Sequence, residues 1–129
     1  KDMDADMLGI GPFIAHPDTP LARIENDALE MTLRTIALAR LLTRNTNIPA
    51  TTALGTMHAT GRLQALRAGA NVVMPDFTPD AYKSLYDIYP GKTAAGSAAE
   101  IMAALEKDFA KLGRTLLFSP GYRQNKLAS

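Results

Sequence analysis

The sequence contains no cysteine and no tryptophan among its 129 residues. Without cysteine the chain has no disulfide, no thiolate zinc site, no cysteine nucleophile and no cysteine-held iron–sulfur cluster of its own. Only two histidines, His16 and His58, are present, so a histidine-rich metal site is not predicted either. No apolar run reaches the ~18 residues of a membrane span, and no secretory signal is recognisable. We therefore expect a cytoplasmic protein that does not bind membranes.

Neither sign of charge dominates, because the chain has 14 basic and 13 acidic residues. The charges are, however, unevenly distributed along the sequence. Residues 1–30 carry seven acids and two bases, whereas residues 31–75 carry five arginines and no acid. The arginines are Arg34, Arg40, Arg44, Arg62 and Arg67. They favour either an anionic ligand or solvated helix faces paired with the acidic N-terminal segment, and the second is the more common explanation. Aromatic residues make up only 6% and do not alternate with basic ones, so nucleic-acid binding is not predicted.

Three short apolar segments have the pattern of buried strands. They are Met7–Gly11, Asn47–Leu54 and Asn71–Met74. Each is followed by a helical pattern, which predicts helices over residues 27–42, 61–68 and 78–89, the first of them beginning at Asn26 or Asp27. Repeated strand–helix units imply parallel pairing and place the chain in the α/β class.

The ends of several elements carry their own signals. Thr60 is a predicted N-cap and Gly69 a predicted left-handed C-terminal residue, so the helix between them is well bounded, with a loop over residues 55–60 before it. Ser97 and Glu100 have the spacing of a capping box and predict a last helix that ends at Leu112.

The size of the sheet indicates an incomplete architecture. A closed (β/α)8 barrel needs ~250 residues, so three strands predict a partial (β/α)8 TIM barrel: about the last three βα units plus a C-terminal helix. Ligands bind such folds at the carboxyl ends of the strands, where this chain has loops rich in Pro, Thr and Gly. There, the hydroxyls of Thr51 and Thr52 could donate hydrogen bonds to a ligand carboxylate, or the two residues could simply favour a strand. Their spacing alone does not decide between these two interpretations.

The standard motifs for dinucleotide, phosphate, serine-hydrolase and zinc-protease sites are absent. A longer pattern is present, in this order: GIGPFIAHPDTPL at 9–21, NIPATTALGT at 47–56, GR at 61–62, RAGANVVMP at 67–75 and IYPGK at 88–92. This pattern resembles the HydE-type [FeFe]-hydrogenase maturases, which are radical S-adenosylmethionine (SAM) enzymes related to biotin synthase. The resemblance covers residues 1–92, in the biotin and thiamin synthesis-associated domain, and leaves residues 93–129 as a C-terminal helix and tail.

The resemblance implies a radical SAM barrel whose reaction begins on a [4Fe–4S] cluster held by a CxxxCxxC motif. This chain has no cysteine, so we expect no cofactor in this fragment and no radical chemistry by it alone. SAM and the [4Fe–4S] cluster are expected in the full-length parent. The second, dispensable cluster of some family members is also bound by cysteines, and none follows residue 92 here.

The resemblance also implies a site, carried over residue by residue. Positions that line the family's internal cavity are matched by Met7, Thr51, Thr52, Met74, Tyr86 and Tyr89. The two threonines would hold a small carboxylate-bearing ligand, an iron-bound cysteine complex, and the two tyrosines would close the cavity near the barrel mouth. The family's cofactor-binding positions, which lie near the adenosyl group of SAM, are matched by Gly9, Ile10, Gly11 and Pro12. The implied partners are the N-terminal part of the same barrel and the other hydrogenase maturases.

Two alternatives remain open. The first is a biotin synthase-like domain, against which the threonine pair counts because it stands where a cluster-binding arginine would be expected. The second is an autonomous, non-catalytic α/β module used for binding or association. Open strand edges can pair with the edges of other chains, so we expect the chain alone to self-associate. Light scattering that shows a monomer would contradict this expectation.

Overall fold

The computed structural model describes residues 4–25, 28–83, 85, 89, 96–118 and 121–122. Over these residues it is a mixed α/β structure. The elements, in chain order, are α1 (Leu29–Thr43), β1 (Pro49–Ala50), α2 (Thr52–Met57), α3 (Gly61–Ala68), β2 (Val72–Val73), α4 (Asp80–Lys83) and α5 (Ala98–Lys111). They divide between two compact units, the first comprising residues 1–13, 27–74 and 118–129 and the second residues 14–26 and 75–117. The division of the chain at residue 92 stays a prediction.

The first unit contains three parallel segments. β1 pairs with β2, with Pro49 opposite Val72, and Met7 forms an isolated parallel bridge with Asn47. Asn47 uses its backbone N–H and C=O on the Met7 side, whereas the carbonyl of the next residue, Ile48, accepts from the β2 side. Because successive residues of a strand direct their hydrogen bonds to opposite neighbours, residues 47–50 are central. The predicted parallel pairing is confirmed for these segments.

The paired segments are shorter than predicted. Of the first predicted strand, 7–11, only Met7 forms a bridge. The second predicted strand, 47–54, ends at Ala50, and α2 occupies residues 52–57, so the end of that strand is wrong. The predicted loop over 55–60 is wrong at its start and right over residues 58–60. Helix is favoured here because it buries Ala53 and Leu54, and this tertiary burial outweighs the β-propensity of Thr52. Thr51 keeps an extended conformation.

The boundaries of α3 agree with the sequence prediction. The helix runs from Gly61 to Ala68, and Gly69 follows it with φ +128°, a conformation that side chains rarely adopt. Thr60 stands at the N-cap, but its side chain makes no capping hydrogen bond. Its hydroxyl lies 3.0 Å from Nδ1 of His58 and accepts a hydrogen bond from Gln64 instead.

α1 begins slightly later than predicted, at Leu29, with Ala28 as its N-cap. Alanine has no side-chain acceptor, so the helix start has no side-chain cap; the predicted caps Asn26 and Asp27 lie outside the described residues. None of the helices formed by the described residues is long and apolar enough to cross a membrane.

The second unit contains α4 and α5. α4 is a single turn, and the described residues after it, Leu85 and Tyr89, are not helical, so the predicted helix through Tyr89 is wrong at its end. The predicted capping box is confirmed at α5: the Ser97 hydroxyl accepts from the backbone N–H of Glu100, whose carboxylate accepts from the N–H of Ser97 at 2.7 Å. The pKa of Glu100 is lowered first by this hydrogen bond from the Ser97 backbone N–H and second by one that the Ser97 hydroxyl donates to the same carboxylate oxygen.

The core of the first unit forms where α3 packs against α1, α2 and β1. Its buried apolar residues are Ile36, Ile48, Ala50, Ala53, Leu54, Ala65, Leu66 and Ala70. The approach of α2 to α3 is close, because a Cβ added to Gly61 would collide with the backbone carbonyl oxygen of Leu54. Glycine at this position therefore sets how closely the two helices pack.

A polar network lies at the amino-terminal ends of the strands. Arg40 of α1 donates to four acceptors, the carbonyls of Gly69, Arg44 and Thr46 and the side-chain oxygen of Asn71, at 2.7–2.9 Å. That asparagine oxygen also accepts from the backbone N–H of Ile48, and its amide nitrogen donates to Asn47. Asn47 in turn donates to the carbonyl of Gly121 at 2.6 Å. The network ties α1, both strands and the described tail to one end of the sheet.

Candidate functional site

The predicted site residues of the first unit lie at the opposite end of the sheet from this network. Gly9 to Pro12 follow the Met7 bridge, Thr51 and Thr52 follow β1, and Met74 follows β2. Because the three segments are parallel, their carboxyl ends meet at one edge of the sheet. The sequence positions assigned to substrate and cofactor binding therefore come from neighbouring segments at the same edge.

Thr51 has an unusual environment at this edge. It is the N-cap residue of α2, with φ −65° and ψ 156°, yet its side chain does not cap the helix. Its Oγ1 is buried and has no hydrogen-bond partner within the described part of the chain. Burying an unsatisfied hydroxyl costs ~1–3 kcal/mol, and native structures contain few such groups. The hydroxyl thus has a hydrogen-bonding capacity that the described part of the chain does not satisfy.

Gly11 lies directly beside this hydroxyl. A Cβ built at Gly11 would lie 2.9 Å from Thr51 Oγ1 and 3.4 Å from its Cγ2. Any side chain at position 11 would therefore crowd the Thr51 hydroxyl, and only glycine leaves it in place. Gly9 has open space on its Cβ side, and Pro12 is buried. The structure brings together one residue predicted for cofactor binding and one predicted for substrate binding.

The remaining predicted residues have different environments. Thr52 is half-buried at the start of α2, where its carbonyl accepts from the Thr56 hydroxyl at 3.2 Å. Met7 and Met74 are exposed, at 46% and 52% of their surfaces, and Ile10 is half-buried. Tyr89 is half-buried in the second unit, and Tyr86 lies outside the described residues.

Sequence reasoning missed one residue near this edge. Arg62, the second residue of α3, lies against Gly55 of α2, with its Nη2 atom 3.5 Å from the position of a Cβ on that glycine. The sequence signal available was that Arg62 belongs to the acid-free stretch 31–75, but it did not distinguish this arginine from the other four.

The chain does not fit an iron–sulfur cluster. It contains no cysteine, and thiolates are the ligands that such clusters require. Within residues 4–25, 28–83, 96–118 and the few others described, no group of three or more His, Asp or Glu side chains is arranged to hold a metal ion. The chemistry of the edge is instead that of hydroxyl groups, thioethers and bare backbone.

A separate groove of about 720 Å³ lies beside the Met7 segment, away from these residues. It is lined by Asp4, Ala5, Leu8, Leu41, Leu42, Thr43, Arg44 and Thr46. Next to it, α1 exposes large apolar side chains that recur at helical spacing, Met31, Leu38, Leu41 and Leu42. Such a surface is typical of an area that another element covers.

Together, the parallel segments, the helices that follow them and the polar edge define an α/β protein with a candidate ligand site at the carboxyl ends of its strands. No family model matches the chain. Over 92 residues, however, it is 55% identical to the [FeFe] hydrogenase maturase subunit HydE of Thermotoga maritima. These residues are 71% of this chain and 26% of that protein, so the match spans about a quarter of the relative's length. The resemblance is confirmed: the chain contains a HydE-type segment.

Proposed function

We propose that the chain forms the C-terminal part of a HydE-type radical SAM (β/α)8 barrel and lines its substrate cavity. In this proposal the N-terminal part of the same barrel supplies the cluster-binding half. The observation that carries the proposal is the buried, unpartnered hydroxyl of Thr51 at the carboxyl edge of the sheet. A polar group that costs stability in the chain alone is explained if a ligand is its partner.

The barrel is supported by the surfaces beside the Met7 segment. A barrel strand pairs on both edges and its helices pack side by side around it. The described residues pair with the Met7 segment on its Asn47 side alone, and the groove and apolar α1 face lie beside it. A preceding βα unit would cover these surfaces with a strand and a helix.

The roles of the edge residues follow from their chemistry. The hydroxyls of Thr51 and Thr52 would donate to the carboxylate of a small ligand, an iron–cysteine-type substrate, and the thioethers of Met7 and Met74 would form soft, apolar wall. On the family resemblance alone, Tyr86 and Tyr89 would close the cavity mouth. In this proposal the whole protein, and not this chain alone, takes part in hydrogenase maturation together with the other maturases.

The cofactors divide between the two parts of the proposed barrel. The cluster does not fit this chain, which has no thiolate ligand. SAM fits better, because Gly9 is open and a Cβ at Gly11 would fill the space beside Thr51. Gly9, Ile10, Gly11 and Pro12 would then line the adenosyl side. When bound with the cluster, SAM supplies the radical, while the residues here position ligands and exclude water.

The proposal is tested with a chimera in which this chain's 92 matching residues replace those of Thermotoga maritima HydE. In it, we expect Thr51→Val to raise the concentration of iron(II)–cysteine complex needed for half-maximal SAM cleavage at least about tenfold. The same substitution should stabilise the protein by about 1 kcal/mol, because valine removes an unsatisfied buried hydroxyl at nearly equal volume.

The matched control is Thr35→Val on α1, whose hydroxyl bonds to the Met31 carbonyl on an exposed face. It should leave the half-maximal concentration unchanged. If Thr51→Val also leaves it unchanged, Thr51 is not in the site and the proposal fails.

A further inference from the structure

Arg62 differs from the other arginines of the acid-free stretch because it is half-buried and has no partner among the described residues. Arg40 makes four hydrogen bonds and Arg34 pairs with Glu30, while Arg44 and Arg67 are exposed to water. Arg62 is half-buried, and it makes no hydrogen bond or ion pair in the described structure. A guanidinium has five donors and prefers anionic acceptors, so this group is left without its preferred partner.

The guanidinium of Arg62 lies over Gly55. Its Nη2, Cζ and Nε atoms are 3.5, 3.8 and 3.9 Å from the position that a Cβ of Gly55 would take. A Cβ on a helix tilts toward the helix N-terminus, and its side chain covers the preceding turn. Gly55 is four residues after Thr51, the N-cap of α2, so the guanidinium lies beside this short helix about one turn along it from Thr51.

Within the described part of the chain, two donors beside α2 therefore lack a protein acceptor: the Thr51 hydroxyl and the Arg62 guanidinium. The stretch 31–75 contains no acidic residue that would pair with the arginine. A carboxylate matches this pair, because it accepts two parallel hydrogen bonds from a guanidinium and a further one from a hydroxyl. A phosphate dianion fits less well, since a single arginine would neutralise half of its charge.

We infer that Arg62 is a substrate-binding residue, the counter-ion of a carboxylate group on the ligand held at Thr51. The inference rests on the proposed function and extends it. It makes the negative charge of the ligand, rather than hydrogen bonding by the threonines alone, the main determinant of specificity at this edge.

The test compares two probes in the HydE chimera, the iron(II) complex of cysteine and that of cysteinamide, which lacks the carboxylate. We expect Arg62→Met to weaken binding of the cysteine complex at least about tenfold and to leave binding of the cysteinamide complex unchanged. Arg62→Lys should recover part of the loss, since it restores the charge without the planar pair of donors. The control is Arg67→Met, an exposed arginine on the same helix, which should change neither affinity.

The outcomes separate this inference from the proposed function. If Thr51→Val weakens binding and Arg62→Met does not, the inference is wrong and the proposed function stands. If Arg62→Met weakens binding of both probes equally, the arginine acts on the structure of the site and not on the carboxylate, which also overturns the inference. If neither substitution affects binding, both fail.

Discussion

Replacing Gly61 by alanine is expected to lower the free energy of unfolding by about 4 kcal/mol or to prevent folding. The added methyl group would collide with the carbonyl oxygen of Leu54, in the middle of the core. That oxygen already accepts the hydrogen bond from His58 that closes α2, so it cannot move without breaking the helix end. Because the methyl group meets backbone rather than a flexible side chain, the strain can be relieved only by moving the two helices apart.

Urea unfolding followed by circular dichroism measures this loss. The matched control is Gly9→Ala, because a Cβ at Gly9 meets nothing within 4 Å and its backbone needs no glycine conformation. We expect the control to change stability by less than about 0.5 kcal/mol. A Gly61→Ala protein as stable as this control would show that α2 and α3 are not packed as described.

Replacing Arg40 by methionine is expected to cost about 3 kcal/mol, a fall of about 10 °C in Tm. Methionine keeps much of the aliphatic stem but leaves the carbonyls of Gly69, Arg44 and Thr46 without their charged donor. Two of these hydrogen bonds are partly buried, where losing a partner costs most. Asn71 retains its bond from Ile48, so the network is weakened and not abolished.

The control for this prediction is Arg34→Met on the same helix, where the arginine makes an exposed pair with Glu30 four residues away. Such surface pairs contribute little, and we expect a change in Tm of 2 °C or less. Equal effects of the two substitutions would contradict the assignment of Arg40 as the residue that holds the strand ends together.

The parts of the fold that could be predicted are those fixed by local chemistry. The end of α3 follows from Gly69, and the start of α5 follows from the capping box, because both depend on residues adjacent in sequence. Thr60 stands at the predicted start of α3, although its hydroxyl does not cap the helix. The helix over 52–57 could not be read from the sequence. It is six residues long, too short to show helical periodicity, and it begins with the β-branched Thr52 after a second threonine at the N-cap, so tertiary burial of Ala53 and Leu54 decides its conformation.

Only part of the candidate site could be predicted from the sequence, because the rest depends on packing between distant residues. Family resemblance identified Thr51 and Gly11, and pairing of parallel segments places them at one edge. The lack of a partner for the threonine hydroxyl depends on three-dimensional packing, which spacing does not reveal. Arg62 was missed because its place beside Gly55, on another helix, is decided by three-dimensional packing and not by spacing along the chain.

The central claim, that the carboxyl edge of these parallel segments is the wall of a ligand cavity, is tested most directly by a crystal structure of the HydE chimera soaked with L-cysteine. The account predicts a carboxylate oxygen of the amino acid about 2.6–3.2 Å from Thr51 Oγ1. A structure in which cysteine binds elsewhere, while the Thr51 hydroxyl remains buried without a partner, would contradict it.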